Sequence, residues 1–387
     1  MTKKLYDEDS HIRQFKARVV ACQAEGSAYR VELDQTAFFA EGGGQASDRG
    51  RLGGQTVPGV QEQGDHIYHV LPGPLPVCSE VEGEIDWAFR FDNMQQHSGE
   101  HILSGLVYAL KGYHNVGFHM NESLTTIDFD GPLTQEELED LEQKANQVIY
   151  ENEPVRILYP GEEELQRLAY RSKKELSGRV RIVALGSSDL CACCAPHVKE
   201  TGEVGVLKIV DAQHYKGGMR LTILCGARAR GDYAIKHQML RELGAQFSVA
   251  PLQVQQAVLK EQQELQQLKG RIAALSDALI EARAAQVAAD TPLCLVEPAL
   301  DTVSARKLVN ALVEKGCPLA AVLLPKEGSA LYQYVIGSGK TDVRPLAKTL
   351  SEQLGGRGGG SAAMIQGTVT GAAAQAATIL EQYFRGA

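Results

Sequence analysis

Two pairs of potential metal ligands, each with four-residue spacing, carry the strongest chemical signal in the sequence. His97 and His101 form the first pair, and Cys193 and His197 form the second. Residues i and i+4 of a helix lie on one face, so both imidazoles of the first pair can reach a common point. Three imidazoles and one thiolate are a suitable ligand set for zinc. The sequence therefore predicts one zinc ion per chain, bound by these four residues.

The distance between the two pairs along the chain indicates the kind of site. Because His101 and Cys193 are far apart in the sequence, the site must be assembled across a folded domain, which suits a catalytic metal in a cleft. A catalytic zinc usually has three protein ligands and an open position. Four ligands are therefore one too many, unless one moves away or the ion becomes five-coordinate. The neighbouring Cys191 and Cys194 are interpreted as structural or incidental.

A second interpretation of the first pair is a zinc peptidase. Residues His97 to His101 fit His-x-x-Glu-His, the inverted zincin signature, in which Glu100 would be the general base. The pair formed by Cys193 and His197 has no place in that scheme. Because Glu100 need not share the metal-facing side of the helix, we expect it to face solvent or to support a ligand rather than to act as the base.

The composition indicates a folded globular protein. The chain has 387 residues, of which 44% are hydrophobic and 22% charged, with a formal net charge of -9. We find no apolar run of the roughly 18 residues that a membrane span needs and no apolar core of a signal peptide at the N-terminus. The sequence therefore predicts a cytoplasmic protein without a membrane partner, whose cysteines are thiols or metal ligands rather than disulfides.

Hydrophobic periodicity predicts the elements that position the candidate ligands. In residues 1–90, short alternating runs separated by glycine and proline predict a small β-barrel. In residues 91–248 we expect an α/β domain with an antiparallel sheet, in which Asn93–Leu110 is a helix and Leu124–Phe129 is a strand. A second helix over Thr134–Tyr150 begins with a capping box.

The C-terminal part of the chain contains the clearest periodic stretch. A heptad pattern over residues 254–282 predicts a long helix within residues 249–290. The chain has no second heptad run to pair with this seam, so we expect it to mediate a homodimer together with the C-terminal domain, or else to pack on a flanking domain. Residues 291–387 predict a small α/β domain. The predicted fold class is therefore α+β with four regions, bounded at residues 90, 248 and 290.

Several motifs, in a consistent order along the chain, resemble those of a known family. The pairs His97/His101 and Cys193/His197 resemble the zinc motif of the editing domain of alanyl-tRNA synthetase and of long, stand-alone alanyl-tRNA editing proteins of the AlaX type. Two further motifs resemble this family: the glycine-rich Leu33–Gln45 with Asp48 and Gly50, and the residues Val198, Thr201 and Gly202. Near the C-terminus, Gly355–Ser361 with Gln366 and Gly367 resembles the synthetase's DHHA1-type domain. Proline in place of the family's common threonine just before His197 removes a backbone donor, so the backbone near the substrate is expected to differ.

The resemblance implies a trans-editing hydrolase that removes wrong amino acids from tRNA(Ala), chiefly serine and secondarily glycine. A pocket for alanine cannot strongly reject an amino acid that differs by one hydroxyl or one methyl group, so a second hydrolytic site is required. The four zinc ligands would then be the catalytic residues, with zinc either activating water or binding the substrate amino group. The alternative is a tRNA-binding protein with a structural zinc.

The resemblance also suggests substrate contacts. We expect Gly43, Gly44 and Gln45 to let the backbone approach the terminal adenosine, since glycine has no Cβ atom. Thr126, slightly preferred over Thr125, is the candidate for binding the serine hydroxyl, because a strand presents only one of two neighbouring residues to a pocket. The candidate contacts to tRNA phosphates are Lys173, Lys174, Arg179, Arg181 and Arg357. For the first four of these residues, the alternative is a solvated basic surface.

Overall fold

A computed structural model describes residues 1–172, 180–288, 291–326, 328–371 and 373–386. The chain divides into two compact units, Met1–Glu242 and Leu243–Ala387. The boundary between them lies close to the predicted one at residue 248, whereas the predicted boundaries at residues 90 and 290 stay predictions. No helix within the described ranges is long and apolar enough to cross a membrane, and the cytoplasmic location stays a prediction.

The first unit begins with a nearly closed, barrel-like sheet of seven antiparallel strands in the order β6-β5-β9-β2-β3-β8-β7. A bulge between Val19 and Ala21 bends β2, so its first half pairs with β9 and its second half with β3. Alternate residues point inward and form a core around Leu33, Phe38 and Ile67. The strands of this region are β1 (Lys3–Lys4), β2 (Gln14–Glu25), β3 (Ala28–Leu33), β4 (Gln35–Thr36), β5 (Gly50–Leu52), β6 (Gln55–Val57), β7 (Gly59–Gln63), β8 (His66–Leu71) and β9 (Glu80–Ile85).

A long helix, α1 (Trp87–Lys111), follows the barrel and contains the predicted helix Asn93–Leu110. The Asp86 carboxylate caps its N-terminus by accepting a hydrogen bond from the backbone N–H of Phe89. Every residue from 93 to 105 is buried, so this part of α1 is enclosed by protein on all sides. The helix therefore holds His97 and His101 inside the unit.

An antiparallel sheet of four strands packs against α1, in the order β10-β11-β16-β15. Its strand β11 confirms the predicted strand Leu124–Phe129, and α2 confirms the second predicted helix, including the capping box between Thr134 and Glu137. The remaining elements before the boundary are β10 (Asn115–Met120), β11 (Thr125–Phe129), α2 (Gln135–Glu151), β12 (Val155–Leu158), α3 (Glu162–Arg167), β13 (Ile182–Leu185), β14 (Asp189–Ala192), β15 (Leu207–Tyr215) and β16 (Gly218–Cys225), and α4 (Gly226–Phe247) continues across it.

The second unit contains a long helix and a five-stranded mixed sheet in the order β17-β18-β19-β21-β20. Together with the first unit it confirms the α+β fold class. Its elements are α5 (Val254–Gln286), β17 (Leu293–Val296), α6 (Thr302–Glu314), β18 (Ala320–Pro325), β19 (Leu331–Gly337), α7 (Arg344–Leu354), β20 (Gly356–Gly360), β21 (Met364–Thr370) and α8 (Ala373–Gly386).

Helix α5 coincides with the predicted heptad helix, and its apolar seam is mostly exposed. Ile280, near its C-terminal end, packs into the core with α6. Four seam residues are each more than half exposed: Leu265 (52%), Leu268 (52%), Ile272 (63%) and Leu275 (70%). Exposed leucines at heptad spacing are typical of a helix that pairs with another helix.

Candidate metal centre

The structure brings the four predicted ligands together. His97 and His101 lie one turn apart on α1, and Cys193 and His197 lie in the segment that follows β14. One potential ligand atom from each residue lies within 4.8 Å of each of the others. The centroids of the His97 and His101 rings are 4.8 and 4.7 Å from that of His197. Four residues from two distant parts of the sequence thus converge on one buried point.

Each imidazole is held by a second side chain on its Nδ1 atom. These hydrogen bonds join His97 to Gln45 (2.8 Å), His101 to Asp189 (2.9 Å) and His197 to Ser98 (3.0 Å). The Nε2 atoms of His97 and His197 point instead toward the Cys193 Sγ atom, at 3.6 and 3.4 Å. Metal-binding histidines almost always use their outer nitrogen in this way, which fixes the ring and leaves the other nitrogen for the metal.

The protonation of the ligands also fits a metal cation. Burial alone would raise the pKa of the Cys193 thiol, but the imidazoles of His97 and His197 hold this pKa well below its usual range. Burial lowers the pKa of His197 to about 3, so its imidazole is neutral, as a metal ligand must be. Burial would also lower the pKa of His101, but Glu100 and Asp189 raise it. A bound cation would displace the proton that this raised pKa favours on the His101 imidazole.

Asp189 is a supporting residue that sequence reasoning missed. Its carboxylate accepts hydrogen bonds from His101 Nδ1 and, at 2.7 Å each, from two guanidinium nitrogens of Arg171. Burial would raise the pKa of Asp189, but His101 and Arg171 lower it. Asp189, Cys191 and Cys193 alternate along an extended segment, and this two-residue spacing was the available signal for a shared face. Cys191 also lies with His101 and Asp189 in a group of potential ligands.

Glu100 is buried, with 3% of its surface exposed, so it does not face solvent. Its Oε1 atom accepts hydrogen bonds from Ser104 Oγ at 2.7 Å and from Asn115 Nδ2 at 2.5 Å. Its Oε2 atom lies 3.7 Å from His101 Nε2. The carboxylate therefore borders the candidate metal centre on the His101 side.

The glycine-rich segment packs directly beside the ligands. Gly44 has a φ of +86°, and a Cβ atom there would lie 2.7 Å from the ring of Phe118. The Phe118 ring in turn packs on the His97 imidazole, with their centroids 5.1 Å apart. Gly43, at a φ of +62°, precedes Gly44, and Gln45 follows it to reach His97. The segment therefore borders the candidate metal centre, and its contact with substrate stays a prediction.

The other predicted contact residues lie in varied surroundings. Thr126 is half-buried, and its hydroxyl donates to the backbone carbonyl of His119 at 3.5 Å. Arg357 is exposed on strand β20 of the second unit. Lys173, Lys174 and Arg179 lie outside the described residues. Their roles in binding substrate or tRNA stay predictions.

The structure corrects the expectation for Arg181. This residue is buried, and its Nη1 atom donates hydrogen bonds to the backbone carbonyls of Cys193 and Ala195 at 2.7 and 3.1 Å. Arg181 therefore supports the ligand-bearing segment instead of facing RNA. A neighbouring cavity of about 470 Å³ is lined by Arg181, His197 and residues 6–10, among others. His197 is therefore the candidate ligand that borders this cavity.

Comparison with known families identifies relatives of this region. The family described as "Threonyl and Alanyl tRNA synthetase second additional domain" matches residues 180–222. This segment includes strands β13 and β14 and both Cys193 and His197. The second pair of candidate ligands therefore lies within the part of the chain that the family match covers.

Longer matches extend over most of the chain. The alanyl-tRNA editing protein AlaX-L of Pyrococcus horikoshii is 27% identical over 390 residues, which cover 95% of each chain. The alanine–tRNA ligase of Ignicoccus hospitalis is 32% identical over 285 residues, which cover 70% of this chain and 31% of the ligase. The alanyl-tRNA editing protein Aarsd1-A of Xenopus laevis is 35% identical over 207 residues, which cover 52% of this chain and 50% of that protein. The chain spans less than half the length of two alanine–tRNA ligases that it matches. The resemblance to alanyl-tRNA editing proteins that its motifs predicted is confirmed.

Proposed function

Because the chain is similar over nearly its whole length to an alanyl-tRNA editing protein, and over much of it to alanine–tRNA ligases, we propose that it is an editing hydrolase. It would act in trans on tRNA(Ala) that carries a wrong amino acid, chiefly serine and secondarily glycine. The observation that carries this proposal is the convergence of His97, His101, Cys193 and His197, two of which lie in the segment that matches a synthetase family.

The proposed reaction is hydrolysis of the ester that joins the amino acid to the tRNA. We propose that zinc is held by the three imidazoles and the Cys193 thiolate. When bound, zinc supplies Lewis-acid chemistry that polarises the ester and activates water. Gln45 and Asp189 fix the rings of His97 and His101, so the ligands need little rearrangement to bind the ion.

Contrary to the expectation from the sequence, we propose that Glu100 acts as the base beside this centre. Ser104 and Asn115 occupy its Oε1 atom, while its Oε2 atom lies 3.7 Å from His101 Nε2. We propose that Oε2 accepts a proton from the attacking water, since a base must lie close to the group that it deprotonates. In a peptidase the same carboxylate would have this role, but Cys193 and His197 would have none.

The proposal is tested by deacylation of tRNA(Ala) charged with serine, glycine or alanine, using zinc-loaded protein. We expect rapid loss of serine, slower loss of glycine and little loss of alanine, because the editing site must spare the correct product. Metal content measured on the same sample gives the zinc stoichiometry, expected to be one per chain. Folded, zinc-loaded protein that binds tRNA(Ala) but hydrolyses none of the three would support the binding role, and cleavage of peptides instead would support the peptidase.

We propose that a second copy of the chain covers the exposed seam of α5. Replacing Leu268 by glutamate places a charge in the centre of this seam. We therefore expect the dissociation constant of the dimer to rise at least about tenfold. Sedimentation equilibrium across a range of concentrations measures this change. The matched control is Gln267→Glu, which adds the same charge one residue away from the seam and should leave the dimer intact. Wild-type protein that stays monomeric at high concentration would contradict the proposal.

A further inference from the structure

Two arginines bond the turn that joins strands β10 and β11. Arg228, in the first turn of α4, donates a hydrogen bond to the backbone carbonyl of Asn121 at 2.6 Å. Arg49, which directly precedes β5 of the barrel, donates to the carboxylate of Glu122. The Arg228 side chain is 9% exposed, whereas the side chains of Arg49 and Glu122 are 47% and 70% exposed. Arg49 is therefore the arginine at this turn that a binding partner can reach.

Arg49 lies where the barrel meets the four-stranded sheet, beside the candidate metal centre. At this junction Gly44 packs on Phe118, and the Phe118 ring packs on the His97 imidazole. Arg49 bonds the turn that follows β10, the strand that carries Phe118. Its guanidinium carbon lies 4.3 Å from the centroid of the Phe89 ring. Phe89 precedes His97 on α1, so the guanidinium and the metal ligands are separated by about 12 Å along the helix axis.

The surroundings of Arg49 suit an incoming phosphate. Stacking on Phe89 holds the plane of the guanidinium, whose N–H donors form a fork that matches phosphate oxygens. Within the described part of the chain, its anionic partner is the carboxylate of Glu122. Exposed ion pairs contribute little to stability, so a phosphate that is held in place by a larger molecule can displace this carboxylate.

We propose that Arg49 binds a backbone phosphate in the unpaired 3′ end of the tRNA, and that Glu122 competes with the RNA for this position. This inference rests on the proposed function, in which the ester at the 3′ terminus reaches the metal centre. The phosphates at the distance of Arg49 then belong to the last few nucleotides, because phosphates follow one another about every 3.4 Å along a stacked strand. The guanidinium donates hydrogen bonds to the phosphate oxygens, and the Glu122 carboxylate is released to solvent.

The first test is Arg49→Ala in the full chain, with binding of uncharged tRNA(Ala) measured over a range of salt concentrations. We expect Kd to rise about tenfold, as for loss of one charge-assisted hydrogen bond. The slope of log Kd against log salt should fall by about 0.7, the contribution of one single-stranded phosphate. In deacylation of seryl-tRNA(Ala), KM should rise while kcat is unchanged, because the contact is remote from the ester. The matched control is Arg51→Ala, which removes the same charge from β5, where Arg51 bonds the Gly54 carbonyl at 3.1 Å, and should leave Kd unchanged.

Glu122→Gln gives the opposite prediction and so separates phosphate binding from a merely structural ion pair. Glutamine keeps the shape of the side chain but does not compete with the phosphate for Arg49. The Kd for tRNA(Ala) should therefore fall about threefold, as expected when an exposed ion pair need not be broken. An ion pair that served only to hold the turn against the barrel would give weaker binding in both variants.

A shortened RNA locates the contact. With tRNA(Ala) that lacks its unpaired 3′ nucleotides, Arg49→Ala and wild-type protein should bind equally well. A difference that persists with this RNA, a Kd unchanged by Arg49→Ala, or weaker binding by Glu122→Gln protein would each overturn the inference. Wild-type protein that binds tRNA(Ala) but hydrolyses none of the charged forms would refute the proposed function, and the Kd values would still decide the role of Arg49.

Discussion

Replacement of Cys193 by alanine is expected to remove zinc and to abolish deacylation of seryl-tRNA(Ala). Cys193 is the thiol of the four-ligand cluster, and its Sγ atom faces the Nε2 atoms of His97 and His197 at 3.6 and 3.4 Å. Four-ligand zinc sites bind with roughly 10–16 kcal/mol, so loss of one ligand should weaken binding at least about a hundredfold. Without the ion, kcat should fall by about 10²–10³-fold or more, comparable to the removal of a preorganised electrostatic group.

Two further cysteines provide the controls for this experiment. Cys194 is exposed and adjacent to Cys193, so Cys194→Ala should keep both zinc and activity. Cys191 is buried and close to His101, so it is removed together with Cys193 to exclude substitution by a second thiolate. A Cys191→Ala/Cys193→Ala protein with full zinc content and an undiminished rate would contradict the assignment of Cys193 as a ligand.

Replacement of Asp48 by alanine is expected to lower the free energy of unfolding of the first unit by about 3–5 kcal/mol. Asp48 and Arg90 are both fully buried and form a two-point ion pair. Arg90 also donates hydrogen bonds to the backbone carbonyls of Ala37 at 2.6 Å and Ser10 at 3.0 Å. Removing the carboxylate would leave a buried guanidinium without a counter-charge, and this is among the most destabilising of single changes.

Urea-induced unfolding followed by tryptophan fluorescence measures this effect. Trp87 is the chain's single tryptophan and lies at the start of α1, so its signal reports on the first unit. The double variant Asp48→Ala/Arg90→Met should lose less stability than Asp48→Ala, because no unpaired charge remains. Asp140→Ala, which breaks an exposed ion pair with Lys144, should change stability by less than about 1 kcal/mol. Equal stability of the Asp48→Ala protein and wild type would refute the expectation.

The buried pair also links the barrel to the helix that carries the ligands. Asp48 accepts a hydrogen bond from the backbone N–H of Phe39 at 2.6 Å, so the residues on either side of Gly42–Gly44 are held near α1. The same segment delivers Gln45 to His97. Weakening the pair should therefore loosen the support of His97 as well as the fold.

Local periodicity in the sequence was sufficient to predict several individual elements and all four candidate ligands. Helix α1, strand β11, helix α2 and the heptad helix α5 follow spacings of two, three and four residues, which a single segment determines without knowledge of the rest of the chain. The i, i+4 spacing of the two ligand pairs is local in the same sense. The resemblance to alanyl-tRNA editing proteins followed from the order of such short motifs along the chain.

Only the tertiary structure decided which side chains surround those ligands. The hydrogen bonds between His101 and Asp189 and between Ser98 and His197 join residues that are 88 and 99 positions apart. No local spacing specifies such a contact. The choice between Thr125 and Thr126 depends on strand register and on which face of β11 packs against α1. Burial of Arg181 likewise depends on the chain folding over it. Periodicity determines which residues share a face, but packing between distant segments determines what that face meets.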